Sequence, residues 1–346
     1  MNLDVRNFYY FPGQIAQNPP RKHHVDPKTF APSGRYASLN PKVVKTLAEV
    51  FFRSKGVEWN AAGTRQGAYG SVFDMSDEHV ALLIGSLPDP ENEVFARVPQ
   101  TTIDRFAVKV QALDSVDAEI ATIEEDTVHK TLSDAPENPD LGNVRGSDIV
   151  PRFAYGCTLI LGGFRMRFSF AEFVKGETFK AYVQGLSVST IGPFVDLFVR
   201  LERAALFLWT LGYSHADFHA DNVLVETKTK TPKIIDFGFA VRMSPGKVRA
   251  IEREAARILS VDRGTTDAIA KAFESYYAQN MKNTVAVRMD VDVADVKSRQ
   301  WWFNPDNRLL QKVAEYLKSI ARSEKDLEER LSKARLRYYG IKSHPV

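Results

Sequence analysis

The segment from His215 to Gly238 constrains the fold more than any other part of the chain. It reads HADFHADNVLV, then the polar run ETKTKTP, then KIIDFG. Short apolar runs separated by a polar turn that contains proline are typical of two strands joined in a hairpin. The hairpin predicts that Asn222, just before the first strand, and Asp236, just after the second, face one point.

The polar residues around this predicted hairpin share a chemistry. Asn222 and Asp236 offer amide and carboxylate oxygens, which Mg²⁺ prefers together with phosphate oxygens and water. Asp217 lies in the preceding loop, where its carboxylate can orient a substrate hydroxyl. Taken alone, the segment has a second interpretation as a polar loop followed by a buried strand and a glycine turn.

Two earlier stretches carry further candidate residues. The stretch RQGAYGSVF, from Arg65 to Phe73, contains two glycines three positions apart. Glycine lets a backbone approach a phosphate closely, because a side chain would hold the main chain away. By itself such a pair more often marks an ordinary turn. The stretch FAVKV, from Phe106 to Val110, predicts a half-buried strand that carries Lys109.

Five segments of the chain occur in the order of protein-kinase motifs: RQGAYGSVF, FAVKV, FSFAEFVKGE, HADFHADN and IIDFG. They resemble the glycine-rich loop, the lysine strand, the hinge, the catalytic loop and the metal-binding motif of that superfamily. Each segment alone is weak evidence, whereas the ordered set over about residues 65–240 is specific. Arg65 stands where the family has its first glycine.

The resemblance implies a phosphotransferase that uses ATP and Mg²⁺. Lys109 would bind the α- and β-phosphates and pair with a glutamate on the next helix. We expect Glu125 in that role, because apolar residues follow it three and seven positions later and would face the core. Glu124 and Glu119 remain alternatives.

The resemblance also assigns roles to the catalytic loop. Asn222 and Asp236 would hold Mg²⁺, and Asp217 would orient the acceptor hydroxyl. His219 stands where Ser/Thr kinases have a lysine that contacts the γ-phosphate, so we expect a catalytic contact with less positive charge. His215 is expected to be structural and to pack beneath the Asp-Phe-Gly turn.

The nucleotide is expected to contact three parts of the chain. The glycine loop would cover the phosphates, Val72 would pack on the adenine, and the hinge backbone would bond the adenine edge. The full expected set is Gly67, Ala68, Tyr69, Gly70, Val72, Ala107, Lys109, Glu172 and Val174.

The implied fold is α+β and bilobal, as in protein kinases. We expect a small β-rich N-lobe over residues 55–174, with an insertion at 74–103, and a compact, mainly helical C-lobe over 175–346. An N-terminal arm and helix would occupy residues 1–54, because the early residues are rich in proline and lack periodicity.

Helix signals outside the motifs are clear in three places. Asn40 and Pro41 form an N-cap followed by proline at the first helical position. Apolar residues recur at helical spacing near 188–212 and again from 306 to 338. The last of these predicts one long C-terminal helix.

Composition and charge exclude several classes of protein. The 346 residues are 44% hydrophobic and 26% charged, which is ordinary for a globular protein with a sizeable core. A net charge of +3 is too small to indicate a nucleic-acid or membrane partner. Cys157 is the only cysteine, so we expect no internal disulfide and a reducing, intracellular compartment. No apolar run approaches the roughly 18 residues of a membrane span.

Three functions remain open at this point. A Ser/Thr protein kinase with a protein substrate is favoured, because the glycine loop and the lysine strand look most like protein kinases. The pattern of His215, Asp217, His219 and Asn222 also looks like aminoglycoside and related small-molecule phosphotransferases. A pseudokinase scaffold is the third. The divergent C-terminal part is typical of a viral or otherwise atypical kinase, in which case the host cell or the virion is the expected location.

Overall fold

The computed structural model describes residues 34–66, 70–96, 103–138, 142–184, 191–215, 217–242 and, near the C-terminus, 309, 313, 317–319 and 321–339. These residues belong to two units. The first comprises the described chain up to Asp134 and Pro151–Phe173, and the second comprises Ala135–Val150 and the chain from Val174 onward. Antiparallel sheets and helices are both present, so the fold is α+β.

The first unit contains one antiparallel sheet. Its strands are β1 (Asn60–Gln66), β2 (Gly70–Ser76), β3 (Glu91–Phe95), β4 (Arg105–Ala112), β5 (Phe153–Leu161) and β6 (Phe164–Glu172). Their order in the sheet is β1-β2-β4-β6-β5-β3. The helices are α1 (Pro41–Ser54), α2 (Asp77–Gly85) and α3 (Val116–Ser133). Because side chains alternate between the faces of a sheet, the two faces can pack against different helices.

Helix α1 begins at the cap that the sequence predicts. The Asn40 side chain accepts a hydrogen bond from the Lys42 N–H at 2.9 Å, and Pro41 takes the first helical position, where its missing N–H has no partner to lose. Helix α1 is the helix of the predicted N-terminal segment over 1–54, and it packs within the first unit. Residues 1–33 of that segment lie outside the described residues.

The apolar side of α1 covers one face of the sheet. The Phe52 ring meets Phe73 of β2 edge-on, with 5.0 Å between the ring centroids. Phe73 pairs with Val108, and Val108 pairs with Phe170, so these three core residues share that face. Burial of each large side chain contributes roughly 1.5–3 kcal/mol. The buried residues of the helix are Val44, Ala48 and Phe52.

The predicted insertion at 74–103 folds as a helix and an edge strand. Strand β2 continues to Ser76, so the insertion starts later than predicted. Helix α2 follows directly, and β3 then pairs antiparallel with β5 at the edge of the sheet. Asp74 is buried within β2 and accepts a hydrogen bond from Arg105 Nε at 2.9 Å. The insertion thus adds an edge strand to the sheet.

The second unit contains the predicted hairpin. Strands β9 (Val223–Glu226) and β10 (Pro232–Ile234) pair antiparallel, and β7 (Gly176–Thr178) adds a third strand beside β9. Strand β8 (Tyr213–Ser214) pairs with β11 (Val241–Arg242). The helices are α4 (Gly146–Ile149), α5 (Phe179–Gln184), α6 (Ile191–Thr210) and α7 (Glu324–Tyr339).

Helix α6 is the helix predicted near 188–212, and α7 packs against it. Arg203 Nη1 donates to the Tyr338 carbonyl oxygen at 2.9 Å, and the Arg200 guanidinium lies 4.7 Å from the Tyr338 ring centroid. Among the described residues, no helix combines the length and the apolar character that crossing a bilayer requires. The stripe that α6 buries is Phe194, Leu197, Phe198, Leu201, Ala205 and Leu208.

The single helix predicted over 306–338 is interrupted. Leu309, Val313 and Leu317 are helical and buried, but residues 321–323 are not helical and α7 begins at Glu324. Ser323 accounts for the new start, because its hydroxyl accepts a hydrogen bond from the Asp326 N–H at 3.1 Å. Residues 243–308 lie outside the described residues.

The stability of the first unit is expected to fall as the pH drops from 6.5 to 4. The His129 ring packs on Phe153 and lies 2.8 Å, through Nε2, from the Pro151 carbonyl oxygen. Burial lowers the pKa of His129 from 6.5 to about 4. In this pH range the unfolded chain therefore binds a proton at His129 that the folded chain does not bind. The free energy of unfolding should fall by roughly 1–3 kcal/mol as a result.

Thermal unfolding measured at intervals across that pH range checks this expectation. His129→Gln should flatten the fall in the unfolding midpoint, because glutamine can still donate to the carbonyl and does not titrate. His79→Gln is the matched control, since His79 is half-buried at the start of α2. Equal pH dependence in the His129 variant and the wild type would contradict the assignment.

Candidate functional site

His215 is the structural centre of the loop before β9. It is buried, its Nδ1 accepts a hydrogen bond from the Asp217 N–H at 3.3 Å, and its Nε2 lies 3.0 Å from the Ile235 carbonyl oxygen. Because Nδ1 is an acceptor, Nε2 carries the proton and donates to Ile235. Burial lowers the pKa of His215, which keeps the ring neutral. The ring also packs on Phe237, with 5.3 Å between centroids.

Asp217 and Asn222 are joined directly. Asn222 Nδ2 donates to the Asp217 carbonyl oxygen and to Asp217 Oδ2, each at 3.0 Å. The amide nitrogen is thus turned toward Asp217, and the amide oxygen of Asn222 is the end that remains for a metal ion. The loop therefore presents a carboxylate and an amide oxygen in a fixed relation.

His219 faces the same carboxylate. Its Nδ1 accepts a hydrogen bond from the Asp221 N–H at 3.2 Å, and its Nε2 lies 3.4 Å from Asp217 Oδ2. In the neutral ring the proton is therefore on Nε2, the nitrogen nearer to Asp217. This arrangement places His219 beside the carboxylate that was predicted to orient the acceptor.

The hairpin brings Asn222 and Asp236 to its open end. Val223 pairs with Ile234, and the Ile235 N–H donates to the Asn222 carbonyl oxygen at 3.0 Å, so the next residue, Asp236, leaves the ladder beside Asn222. Asp236 has a φ of 65°, in the left-handed region. Aspartate tolerates this region better than most residues, and such conformations are concentrated at functional sites.

The chemistry of these donors fits Mg²⁺. One carboxylate and one amide oxygen are few protein ligands, and Mg²⁺ usually completes its shell with phosphates and water. In the described part of the chain, no group of three or more His, Cys, Asp or Glu side chains is arranged to hold a metal ion. A site made from Asn222 and Asp236 would therefore depend on a phosphate-bearing ligand.

In the first unit, Lys109 contacts the helix that follows its strand. Lys109 Nζ lies 2.6 Å from Glu125 Oε1, which is the pairing that the sequence favours. Glu119, one of the alternatives, is held instead by Arg165, while Glu124 is exposed. Burial alone would raise the pKa of Glu119, but hydrogen bonds from Arg165 and Tyr36 outweigh it and lower the pKa.

The glycine stretch runs from the end of β1 into β2, and Gln66 pairs with Ser71 across these two strands. Gly67, Ala68 and Tyr69 lie outside the described residues. Position 70 requires glycine, because a Cβ there would overlap the Val110 carbonyl oxygen of the neighbouring strand. Its small size is thus required by sheet packing, independently of any phosphate.

The residues expected around the adenine divide between the units. Val72 pairs with Lys109 across β2 and β4, and Ala107 lies two residues before Lys109, so all three share the face opposite α1. The Glu172 N–H donates to the Arg152 carbonyl oxygen at 2.8 Å, so only its carbonyl could take part in the predicted adenine contact. Val174 is half-buried and belongs to the second unit.

The structure therefore groups the predicted residues in two sets. Asp217, His219, Asn222 and Asp236 lie around one loop and hairpin of the second unit, while the lysine–glutamate pair and the glycine hairpin belong to the first. Sequence reasoning missed the ion pairs beneath that lysine. Their signal was two arginines at alternate positions of a largely apolar strand, in the run FRMRFSF.

No protein-family model matches this chain, and no curated protein matches it in sequence. The ordered motifs and the geometry of the two sets of residues are the features that indicate a function for this chain.

Proposed function

We propose that this protein is an ATP- and Mg²⁺-dependent phosphotransferase with a protein-kinase-like fold, and that its acceptor is a protein serine or threonine. The observation that carries the proposal is the loop in which Asn222 bonds Asp217 and the hairpin delivers Asp236 beside Asn222. Asn222 and Asp236 could hold Mg²⁺, and Asp217 supplies a carboxylate for a hydroxyl proton. His215, buried and neutral, supports the loop from within.

The first unit supports the same proposal. A glycine hairpin precedes a strand with a lysine, and the helix after that strand provides a glutamate 2.6 Å from the lysine. Kinases use this combination to cover and orient the ATP phosphates. Val72 and Ala107 lie on the same side of the sheet as Lys109 and would line the adenine.

Each residue has a defined part in the proposed reaction. Bound Mg²⁺ would supply positive charge at the phosphates. Lys109, held by Glu125, would orient the α- and β-phosphates. Asp217 would accept a hydrogen bond from the acceptor hydroxyl and take its proton as the new P–O bond forms, while the bond from the γ-phosphorus to the β–γ bridging oxygen breaks and ADP leaves. His219 lies beside this carboxylate, with 3.4 Å between its Nε2 and Asp217 Oδ2.

The same His219 contact favours a second candidate. A histidine beside the catalytic aspartate is the feature that this loop shares with small-molecule phosphotransferases such as those that act on aminoglycosides. Their acceptor is a soluble hydroxyl compound rather than a protein. The third alternative, a pseudokinase scaffold, is less well supported because every residue that the chemistry needs is present.

Transfer of labelled phosphate separates these candidates. The full chain is incubated with γ-labelled ATP and Mg²⁺, with a generic basic protein in one arm and a panel of aminoglycosides and sugars in the other. We expect label on protein serine or threonine, lost when EDTA removes Mg²⁺. Transfer only to the small molecules would establish the second candidate, and ATP binding without turnover in either arm would establish the scaffold.

A further inference from the structure

Two arginines on β6 are completely buried beneath α3. Arg165 and Arg167 have no solvent exposure, and each is paired with an acidic residue of that helix, Glu119 and Asp126 respectively. A buried ion pair often contributes little net stability, because desolvation offsets the attraction. Such a pair is better suited to specifying one arrangement of two elements than to strengthening the fold.

The Arg167–Asp126 pair is tightly built. Arg167 Nε donates to Asp126 Oδ2 at 2.8 Å, and Arg167 Nη1 donates to the Asn92 carbonyl oxygen at 2.7 Å. Burial raises the pKa of Asp126, and Arg167 and the Ser169 side chain oppose that rise. A Cβ at Gly156 would overlap the Asp126 carboxylate and lie 2.8 Å from Arg167 Nη2. Strand β5 thus lacks a side chain at the point where the pair needs space.

The Arg167–Asp126 pair is next to the Lys109–Glu125 contact both along helix α3 and across the sheet. Asp126 follows Glu125 directly along α3. Ser169, whose side chain lowers the pKa of Asp126, is the residue that pairs with Lys109 across β4 and β6. A rotation or shift of α3 that separated Glu125 from Lys109 would therefore also have to break the buried ion pair.

We propose that Arg167 and Asp126 are positioning residues, which hold α3 in the register at which Glu125 bonds Lys109. The lysine is thereby oriented before any nucleotide binds. The inference rests on the proposed function for its catalytic meaning, because it assigns a second set of residues to the same site. The contact that it describes lies entirely within the first unit.

The Arg165–Glu119 pair provides a matched control. Arg165 Nε and Nη2 donate to Glu119 at 2.9 and 2.7 Å, and Nη2 also donates to Glu91 at 2.7 Å. Arg165 is as buried as Arg167 and joins the same strand to the same helix. Glu119, however, lies more than a helical turn away from Glu125, so its loss should loosen the fold without releasing that glutamate.

The test compares Arg167→Met with Arg165→Met in the full chain, at a temperature where circular dichroism shows both to be folded. Acetylation of Lys109 by an N-hydroxysuccinimide ester, without nucleotide, is quantified by mass spectrometry. We expect Arg167→Met to raise the acetylation rate by up to about five-fold, the factor that corresponds to losing a partly exposed ion pair. Arg165→Met should leave the rate close to that of the wild type.

A second pair of variants keeps the test decisive if Arg167→Met fails to fold. Asp126→Asn and Glu119→Gln preserve side-chain shape, and only the first should increase Lys109 acetylation. Equal effects of the two members in either pair, or no effect of both, would overturn the positioning role. Because acetylation requires no phosphate transfer, this result is independent of whether the proposed activity exists. If it does, Arg167→Met should also lower kcat more than it raises the KM for ATP.

Discussion

Asp217→Asn is expected to reduce phosphate transfer by about 10²- to 10⁴-fold, the range typical of a lost general base. Asparagine keeps the shape of the side chain and can still accept the hydrogen bond from Asn222. It cannot accept the hydroxyl proton, because an amide is not basic. Affinity for ATP should remain within about two-fold, since the group acts on the acceptor rather than on the nucleotide.

Single-turnover transfer of γ-labelled phosphate and a separate measurement of ATP binding check this expectation. Asp221→Asn is the matched control, because Asp221 is an exposed carboxylate of the same loop. Its Oδ2 lies 3.9 Å from His219 Nδ1, whereas Asp217 faces Nε2. The control should retain wild-type rates. If Asp217→Asn transfers phosphate as fast as the control, Asp217 has no role in moving the proton.

Asp236→Asn is expected to abolish the Mg²⁺ dependence of ATP binding. Removing the only carboxylate of the candidate metal pair should weaken binding of ATP with Mg²⁺ by at least about 10- to 100-fold, the loss typical when only an outer-shell partner of a metal ligand is mutated. Transfer should fall with it. Asparagine is the appropriate replacement because it also tolerates the left-handed backbone conformation at this position, whereas alanine would add strain.

Calorimetric titration of ATP, with Mg²⁺ and with EDTA, measures this effect. Asp89→Asn is the matched control, since Asp89 is another aspartate at positive φ, exposed in the first unit. The Asp89 variant should show the same difference in ATP affinity between Mg²⁺ and EDTA as the wild type. An Asp236 variant that still binds ATP more tightly with Mg²⁺ would require a different metal ligand.

The parts of the site that the sequence predicted are those in which the decisive residues lie close together along the chain. The β9–β10 hairpin was predictable because its turn joins two short apolar runs, and its register alone brings Asn222 beside Asp236. Glu125 was predictable in part. The helical period separates it from the exposed Glu124, but Glu119 also faces the sheet and differs only in pairing with Arg165. The structure makes the Lys109–Glu125 contact at 2.6 Å.

Other features were decided by neighbours that are distant in sequence. Strand β3 was predicted only as part of an insertion, because its partner β5 lies about sixty residues further on. Gly70 was interpreted as a phosphate-binding glycine, but its size is also required by the carbonyl oxygen of Val110. The interruption before α7 depends on a serine cap within a pattern that remains helical on both sides.

The sequence by itself determined the chemical groups and their local geometry: a carboxylate, an amide and a second carboxylate arranged by one loop and one hairpin. Hydrogen bonds over a few residues are sufficient for that, because the chain has few ways to close so short a turn. Only the tertiary structure decided that a buried ion pair, Arg167–Asp126, forms next to the Lys109–Glu125 contact. Arg167, Asp126 and Gly156 come from three separate elements, and their shared space exists only after the sheet and helix have packed.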